Sequence, residues 1–177
     1  GYGGTDTKTV TVTITGTNDT PLLATTDITG AVTEDAADPT LIDTGVIAFT
    51  DVDLTDINTV SVTNTSAGAL GNLNPIVTDN STGDGSGEVT WTYNVDNSAV
   101  QYLAAGEIKT ETFDVTIDDG NGGTDTQTVT VTITGTNDDP VITDVDLIGA
   151  VTEDASAPNL TETDSGSINF LTFTDVD

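Results

Sequence analysis

Carboxylates fall in short groups along this chain: Glu34 and Asp35 in "VTED", Asp51 and Asp53 in "FTDVD", Asp118 and Asp119 in "IDDG", and Asp19 beside Asn18 in "GTND". Three of these groups are spelled again further on, as Glu153 with Asp154, Asp175 with Asp177, and Asn137 with Asp138. The chain has no histidine and no cysteine, so a bound metal would have to be met by oxygen alone. Oxygen-only ligation selects hard cations, Ca2+ before Mg2+. Paired carboxylates also serve as acid and base in glycoside hydrolysis. Nothing in the sequence suggests a cleft, however, and with 2 basic residues in the chain there is little to tune such a pair, so an enzyme is not expected.

The charge balance sharpens the point. Thirty acidic residues against 2 basic ones give a net charge of −28 at pH 7. A surface of that sign repels nucleic acid and anionic membranes, which are not expected partners. High charge with few aromatics is also the mark of a disordered chain, but 34% of the residues are hydrophobic and they recur in regular patterns. Self-repulsion on this scale calls for a counter-charge, and multivalent cations supply it. No apolar stretch is long enough to span a membrane, and no charged-then-apolar signal segment opens the sequence, so membrane insertion is not expected.

The groups recur because the chain repeats itself. "TVTVTITGTND" stands at residues 9–19 and again, letter for letter, at 128–138, an offset of 119 residues. The same offset carries "ITGAVTEDA" onto "LIGAVTEDA"; "FTDVD" recurs five residues later than that, which marks an insertion in the second copy. One full period therefore covers residues 20–138. Residues 1–19 read as the last strand of a preceding unit and 139–177 as the first strands of a following one, a window on a tandem array.

What must position the carboxylates is a set of strands. "TVTVTIT" alternates Thr with Val or Ile, which puts Val10, Val12 and Ile14, and in the second copy Val129, Val131 and Ile133, on one face of a strand. "EVTWTYNV" alternates in the same way through Val89, Trp91, Tyr93 and Val95. "TGAVT", "GVIAFT", "NTVSVTN", "NPIVT" and "TFDVTI" are further strands, separated by Gly, Asn, Asp and Ser in turn-forming clusters. "DDGNGG" at 118–123 reads as a hairpin loop with Asn121-Gly122 at positive φ. About seven strands, with no helix beyond a turn at "SAVQYLAAG", predict an antiparallel immunoglobulin-like β-sandwich. Loops distant in sequence gather at the ends of such a sandwich. A cation at the junction of two units would then take ligands from a linker, the base of one unit and the top of the next.

The quoted acidic signature, "VTED", "FTDVD", "DDGNGGTD" and "GTNDxP", resembles the cadherin pattern, in which a glutamate, an Asp-x-Asp pair and an acidic linker share calcium between tandem domains. The longer text "LGNL", "WTYNVDNSAVQYLAAGE" and "TFDVTIDDGNGGTDTQTVTVTITGTND" resembles the VCBS repeat, strung in long arrays in very large RTX-type bacterial surface adhesins. That resemblance covers the whole period and both flanks. It implies a Ca2+ site at the top of the unit, made by Asn18, Asp19, Asp51, Asp53 and Asp118 or Asp119. It implies another at the base, made by Glu34 and Glu107, then Asn137 and Asp138, then Asp175 and Asp177 of the next unit. Two departures point to fewer ions per junction than in cadherins: Gly16 and Gly135 stand where the cadherin linker opens with Asp, and "AAGE", which carries Glu107, replaces Asp-Arg-Glu.

The function so implied is that of a calcium-rigidified spacer in an extracellular, secreted adhesin of the bacterial surface, supporting adhesion or biofilm formation, with neighbouring repeats as its partners. Other readings stay open. The carboxylates could be no more than a solvated acidic surface, and for Asp43, Asp79, Asp84, Asp96 and Asp164, outside the repeating pattern, that reading is favoured. Copies of the chain could join in a surface filament through the Val10, Val12, Ile14 strand. Trp91, Tyr93 and Tyr102 could form a sugar-stacking platform, although aromatics alternating on one strand face more often belong to a core. The threonine-rich faces could bind ice or glycans, but alternating Thr is also ordinary strand chemistry.

Overall fold

Alternation of apolar and hydroxyl-bearing side chains dominates the structure. A computed structural model describes residues 1–34, 39–142 and 173–175. Eight strands form two four-stranded sheets. The first holds β1 (Leu22–Leu23), β3 (Thr40–Thr50), β6 (Ser86–Asp96) and β5 (Asn72–Asp79), in the order β1-β3-β6-β5. The second holds β2 (Thr29–Thr33), β8 (Thr124–Thr134), β7 (Ile108–Asp118) and β4 (Thr59–Asn64), in the order β2-β8-β7-β4. Neighbours are antiparallel except β2 and β8, which run parallel from Thr29↔Thr130 to Thr33↔Thr134. This is the antiparallel immunoglobulin-like sandwich expected, with one strand more than the seven foreseen because the first strand is divided between the sheets. A short pairing of β9 (Val141–Ile142) with β10 (Phe173–Thr174) lies beyond it. "SAVQYLAAG" contributes only a 3-10 turn at Asn97–Ala99, capped by the Asp96 side chain.

Each long strand turns alternate residues inward. Val89, Trp91, Tyr93 and Val95 of β6 meet Phe113, Val115 and Ile117 of β7 and Val129, Val131 and Ile133 of β8 in one buried cluster. Trp91 and Tyr93 are therefore core residues, whereas Tyr102 is exposed. The Tyr93 ring lies 5.8 Å from that of Phe113, and its hydroxyl donates to Glu111 at 2.9 Å. Burial first, and the Glu111 carboxylate second, push the Tyr93 phenol far above its ordinary pKa. Glu111 sits at an inward position of β7 and is fully buried, where it also accepts the backbone N–H groups of Leu70 and Gly71 at 2.7 and 3.1 Å.

The division between β1 and β2 is built on aspartates. Asp27 adopts φ 56°, a conformation that Asp tolerates better than most residues. Its carboxylate accepts Val46 N–H at 2.6 Å and its carbonyl accepts Trp91 Nε1–H at 2.8 Å. Asp43 accepts Ala31 N–H at 2.7 Å and Asp125 accepts Leu23 N–H at 2.8 Å. Side chains thus supply acceptors where the chain crosses from one sheet to the other. Asp43, read from the sequence as solvated surface, is one of these acceptors.

Two expectations fail locally. Residues 9–15, identical to 128–134, form no strand, and Val10, Val12 and Ile14 are 83, 76 and 90% exposed. A strand needs partners, and among the described residues no strand pairs with this copy. At the β7–β8 hairpin Gly122 has the positive φ expected (110°), but its companion is Gly120 (78°) and not Asn121. There Asp118 and Asp119 bind the turn's N–H groups and the glycines absorb the reversal.

Candidate metal centre

The loop that follows β3 reads "DVDLTDIN", residues 51–58. Strand β3 ends at Thr50, and three carboxylates then turn to one point: one oxygen each of Asp51, Asp53 and Asp56 lies within 4.8 Å of the others. Asp51 and Asp56 are buried and Asp53 half-buried. Among the described residues this is the one group of three metal-ligating side chains so arranged.

The neighbouring loop 80–85 locks this geometry. Asp51 N–H donates to Gly85 O at 3.1 Å and Gly83 N–H donates to Leu54 O at 2.9 Å. Asn58, buried, donates from Nδ2 to Asp51 Oδ2 at 2.9 Å, and its Oδ1 accepts Ser81 Oγ–H at 2.7 Å. Thr82 Oγ1 donates to the Asp56 carbonyl at 2.7 Å. Within the loop, Asp51 Oδ1 accepts Asp53 N–H at 3.0 Å and Asp53 O accepts Asp56 N–H at 3.0 Å. Asp56 Oδ2 is buried and accepts no hydrogen bond. A buried carboxylate oxygen with no donor, beside two other carboxylates, is costly unless a cation or a proton neutralises it. No basic side chain is at hand: Lys8 pairs with Asp6 at 3.9 Å, and Lys109 lies on β7.

The linker reaches this end of the sandwich. Asp19 N–H donates to Asp53 Oδ2 at 2.6 Å, and Asn18 Nδ2 donates to Asp119 Oδ2 at 2.9 Å. Asp119 also accepts the N–H groups of Asn121 and Gly123 through Oδ1. The Asn18 amide, ahead of these backbone donors, holds the Asp119 carboxyl below the usual carboxylate range. Gly123 has to be glycine here, since a Cβ would stand 2.3 Å from Asp119 Oδ2 and 2.9 Å from Thr20 Cα. Asn18, Asp19, Asp51, Asp53 and Asp119 are therefore gathered at one end. Asp118 is exposed and spends Oδ1 on Gly120 N–H at 2.7 Å.

The residues expected at the base are arranged differently. Glu34 is fully buried; Oε2 accepts Thr136 N–H and Oγ1–H, both at 2.8 Å, and Oε1 accepts Gln101 Nε2–H at 2.5 Å. Its carboxylate closes the base against the second linker. Glu107 is exposed and accepts Ala104 N–H at 3.1 Å. Asn137 is exposed and donates to the Asp138 carbonyl at 3.0 Å, and Asp138 is half-buried. Asp175 is exposed after β10. Asp35, Glu153, Asp154, Asp164 and Asp177 lie outside the described residues.

Two members of the centre went unread in the sequence: Asp56, the third carboxylate, and Asn58, which orients Asp51. The available signal was the spacing Asp-x-Asp-x-x-Asp-x-Asn in one loop, a density of oxygen donors that turn formation alone does not require.

No protein-family model matches the chain, and no curated protein matches it. Among solved structures, the chain is similar to the ASH/PapD-like domain 7 of human CEP192, with a TM-score of 0.38, 10% identity, and coverage of 75% of this chain and 96% of that one. It is also similar to AggA, the major subunit of aggregative adherence fimbriae type I from Escherichia coli, with a TM-score of 0.34, 18% identity, and coverage of 68% and 98%.

Proposed function

We propose that this chain is a spacer segment of a tandem bacterial surface adhesin, exported to the cell exterior, and that Ca2+ held by Asp51, Asp53 and Asp56 stiffens its junction with the preceding unit. The observation that carries the reading is the meeting of one oxygen each from three carboxylates within 4.8 Å, where Asp56 also has a buried oxygen without a donor and Asp53 receives the linker amide. Oxygen donors alone favour a hard cation, and a loop supplying several carboxylates suits the irregular six- to eight-fold coordination of Ca2+ better than the strict octahedron of Mg2+. The cation removes the repulsion among the three aspartates and so steadies the loop on which Asp19 is seated. Affinity falls in the range of extracellular modules, roughly 10⁻⁴ to 10⁻³ M.

Thermal unfolding of residues 1–177 in chelator, in millimolar Ca2+ and in matched Mg2+ tests this. Millimolar Ca2+ is about 1–10 times a Kd of this size and should stabilise the fold by roughly 0.4–1.4 kcal/mol, with Mg2+ doing less. Asp56→Asn should raise the midpoint in chelator, where repulsion is relieved, and abolish most of the rise given by Ca2+. Equal and small effects of the two ions would leave the carboxylates as screened surface charge and end the spacer reading.

A second reading is assembly of copies into a surface filament. It is favoured by the exposure of Val10, Val12 and Ile14 in a sequence identical to a core strand. Sedimentation of the chain as a monomer at high concentration, with and without Ca2+, would remove it.

A further inference from the structure

The first and last strands of the sandwich are neighbours and run the same way. β2 and β8 are in register over the five pairs from Thr29↔Thr130 to Thr33↔Thr134. The ladder is extended at one end by Thr130 N–H to Ile28 O at 2.9 Å and at the other by Glu34 N–H to Thr134 O at 2.8 Å. The entering linker is bound to Asp53 and Asp119, at the end where β8 begins, since Asp118 pairs with Thr124. The leaving linker is bound through Thr136 to Glu34, at the end where β8 finishes. Tension passed from one linker to the other therefore draws β2 towards one end and β8 towards the opposite end.

Opposed forces on parallel strands act along the ladder and strain all its hydrogen bonds together, whereas forces across a ladder open them one after another. We propose that β2 and β8 form a tension-bearing clamp, closed at its exit by the buried Glu34 carboxylate. Ahead of it, β1 holds β3 by only two residue pairs, so β1 yields first and the load comes to rest on β2 and β8. Val32 of β2 and Val131 and Ile133 of β8 are buried in the core, which keeps water from the ladder while it is loaded. The inference rests on the spacer reading only for the claim that tension arrives through the linkers. The clamp itself is a property of the topology.

Single-molecule pulling along two directions tests it. The chain has no cysteine, so paired cysteines give unique handles. Thr20→Cys with Asp139→Cys, both at exposed positions, loads the sandwich along its strands; Thr29→Cys with Asn64→Cys, exposed on the two edge strands β2 and β4 and within one residue of the same level of the sheet, loads that sheet across them. The axial rupture force should exceed the transverse force at least about twofold, because the ladder bonds share the load in one case and break singly in the other. Equal forces, or a stronger transverse direction, would overturn the proposal. Both pulls are made in chelator as well as in Ca2+. Loss of the calcium effect on thermal unfolding would sink the spacer reading, while only loss of the directional difference sinks the clamp.

Discussion

Residues 9–19 and 128–138 are the same eleven letters in two conditions. In the second copy Val129, Val131 and Ile133 are fully buried between β2 and β7; in the first, Val10, Val12 and Ile14 face solvent and no strand forms. The tails of the two copies are bonded differently. Asn18 and Asp19, though exposed, are bound to the acidic loops of the sandwich, while Asn137 donates to the adjacent Asp138 carbonyl. Alternation supplies a face able to be buried, but hydrogen-bonding neighbours decide whether a strand exists. The polar tail has the opposite dependence, since it is ordered by whatever carboxylates stand ahead of it.

The largest contrast should come from placing a charge on the shared apolar face. Val131→Asp buries a carboxylate without a partner and should cost more than about 4 kcal/mol, enough to unfold the domain, while Val12→Asp at its exposed counterpart should stay within about 0.5 kcal/mol. Denaturant unfolding of both variants measures the difference, and comparable losses would mean that residues 9–15 are packed in solution. A smaller contrast lies in the threonine two residues beyond the repeated alternating run. Thr136→Val removes one donor to buried Glu34 and should cost about 1–2 kcal/mol, against almost nothing for Thr17→Val. Thermal midpoints that move equally would show that Glu34 does not grip the second linker.

The smallest effect reverses the order of the copies. Asn18→Ala removes the main cause of the lowered Asp119 pKa, so the Asp119 carboxyl should titrate at higher pH, as followed by carbon NMR; Asn137→Ala should leave it in place. A depressed carboxylate contributes stability that is present above its unfolded pKa and lost as pH falls through its folded value. Acid loosening of the hairpin loop should therefore begin at a higher pH in Asn18→Ala. An unchanged Asp119 titration would break the link between this linker and the loop.

Much of the sandwich was legible, and for a plain reason. Strands β6, β7 and β8 are long and alternate strictly, and β6 and β8 are bounded by Gly and Asn, so period and turn chemistry agree. Asp51 and Asp53 were legible because repetition singles them out, and the structure does bring them together with Asn18, Asp19 and Asp119 at one end. Asp56 was not, because its place depends on how loop 80–85 folds over loop 51–58, a contact that no local pattern records. Glu34 was read as a ligand; in the structure its oxygens accept from Gln101 and Thr136, donors that the sequence does not reveal around a carboxylate. Glu111 was passed over, yet its inward phase with Phe113, Val115 and Ile117 was visible in "ETFDVTI".

The indole of Trp91 has a use beyond filling the core. It is the one tryptophan of the chain, and it lies against Gly30 of β2 and Gly45 of β3, where a Cβ would stand 3.0 Å and 2.3 Å from its ring, with Nε1–H on the Asp27 carbonyl. Any departure of the segment running from the Asp27 bend into β2 uncovers this ring and breaks its hydrogen bond at the same moment. The chain thus carries an intrinsic fluorophore at the seam between its two sheets, and the colour of its emission reports whether that seam is shut.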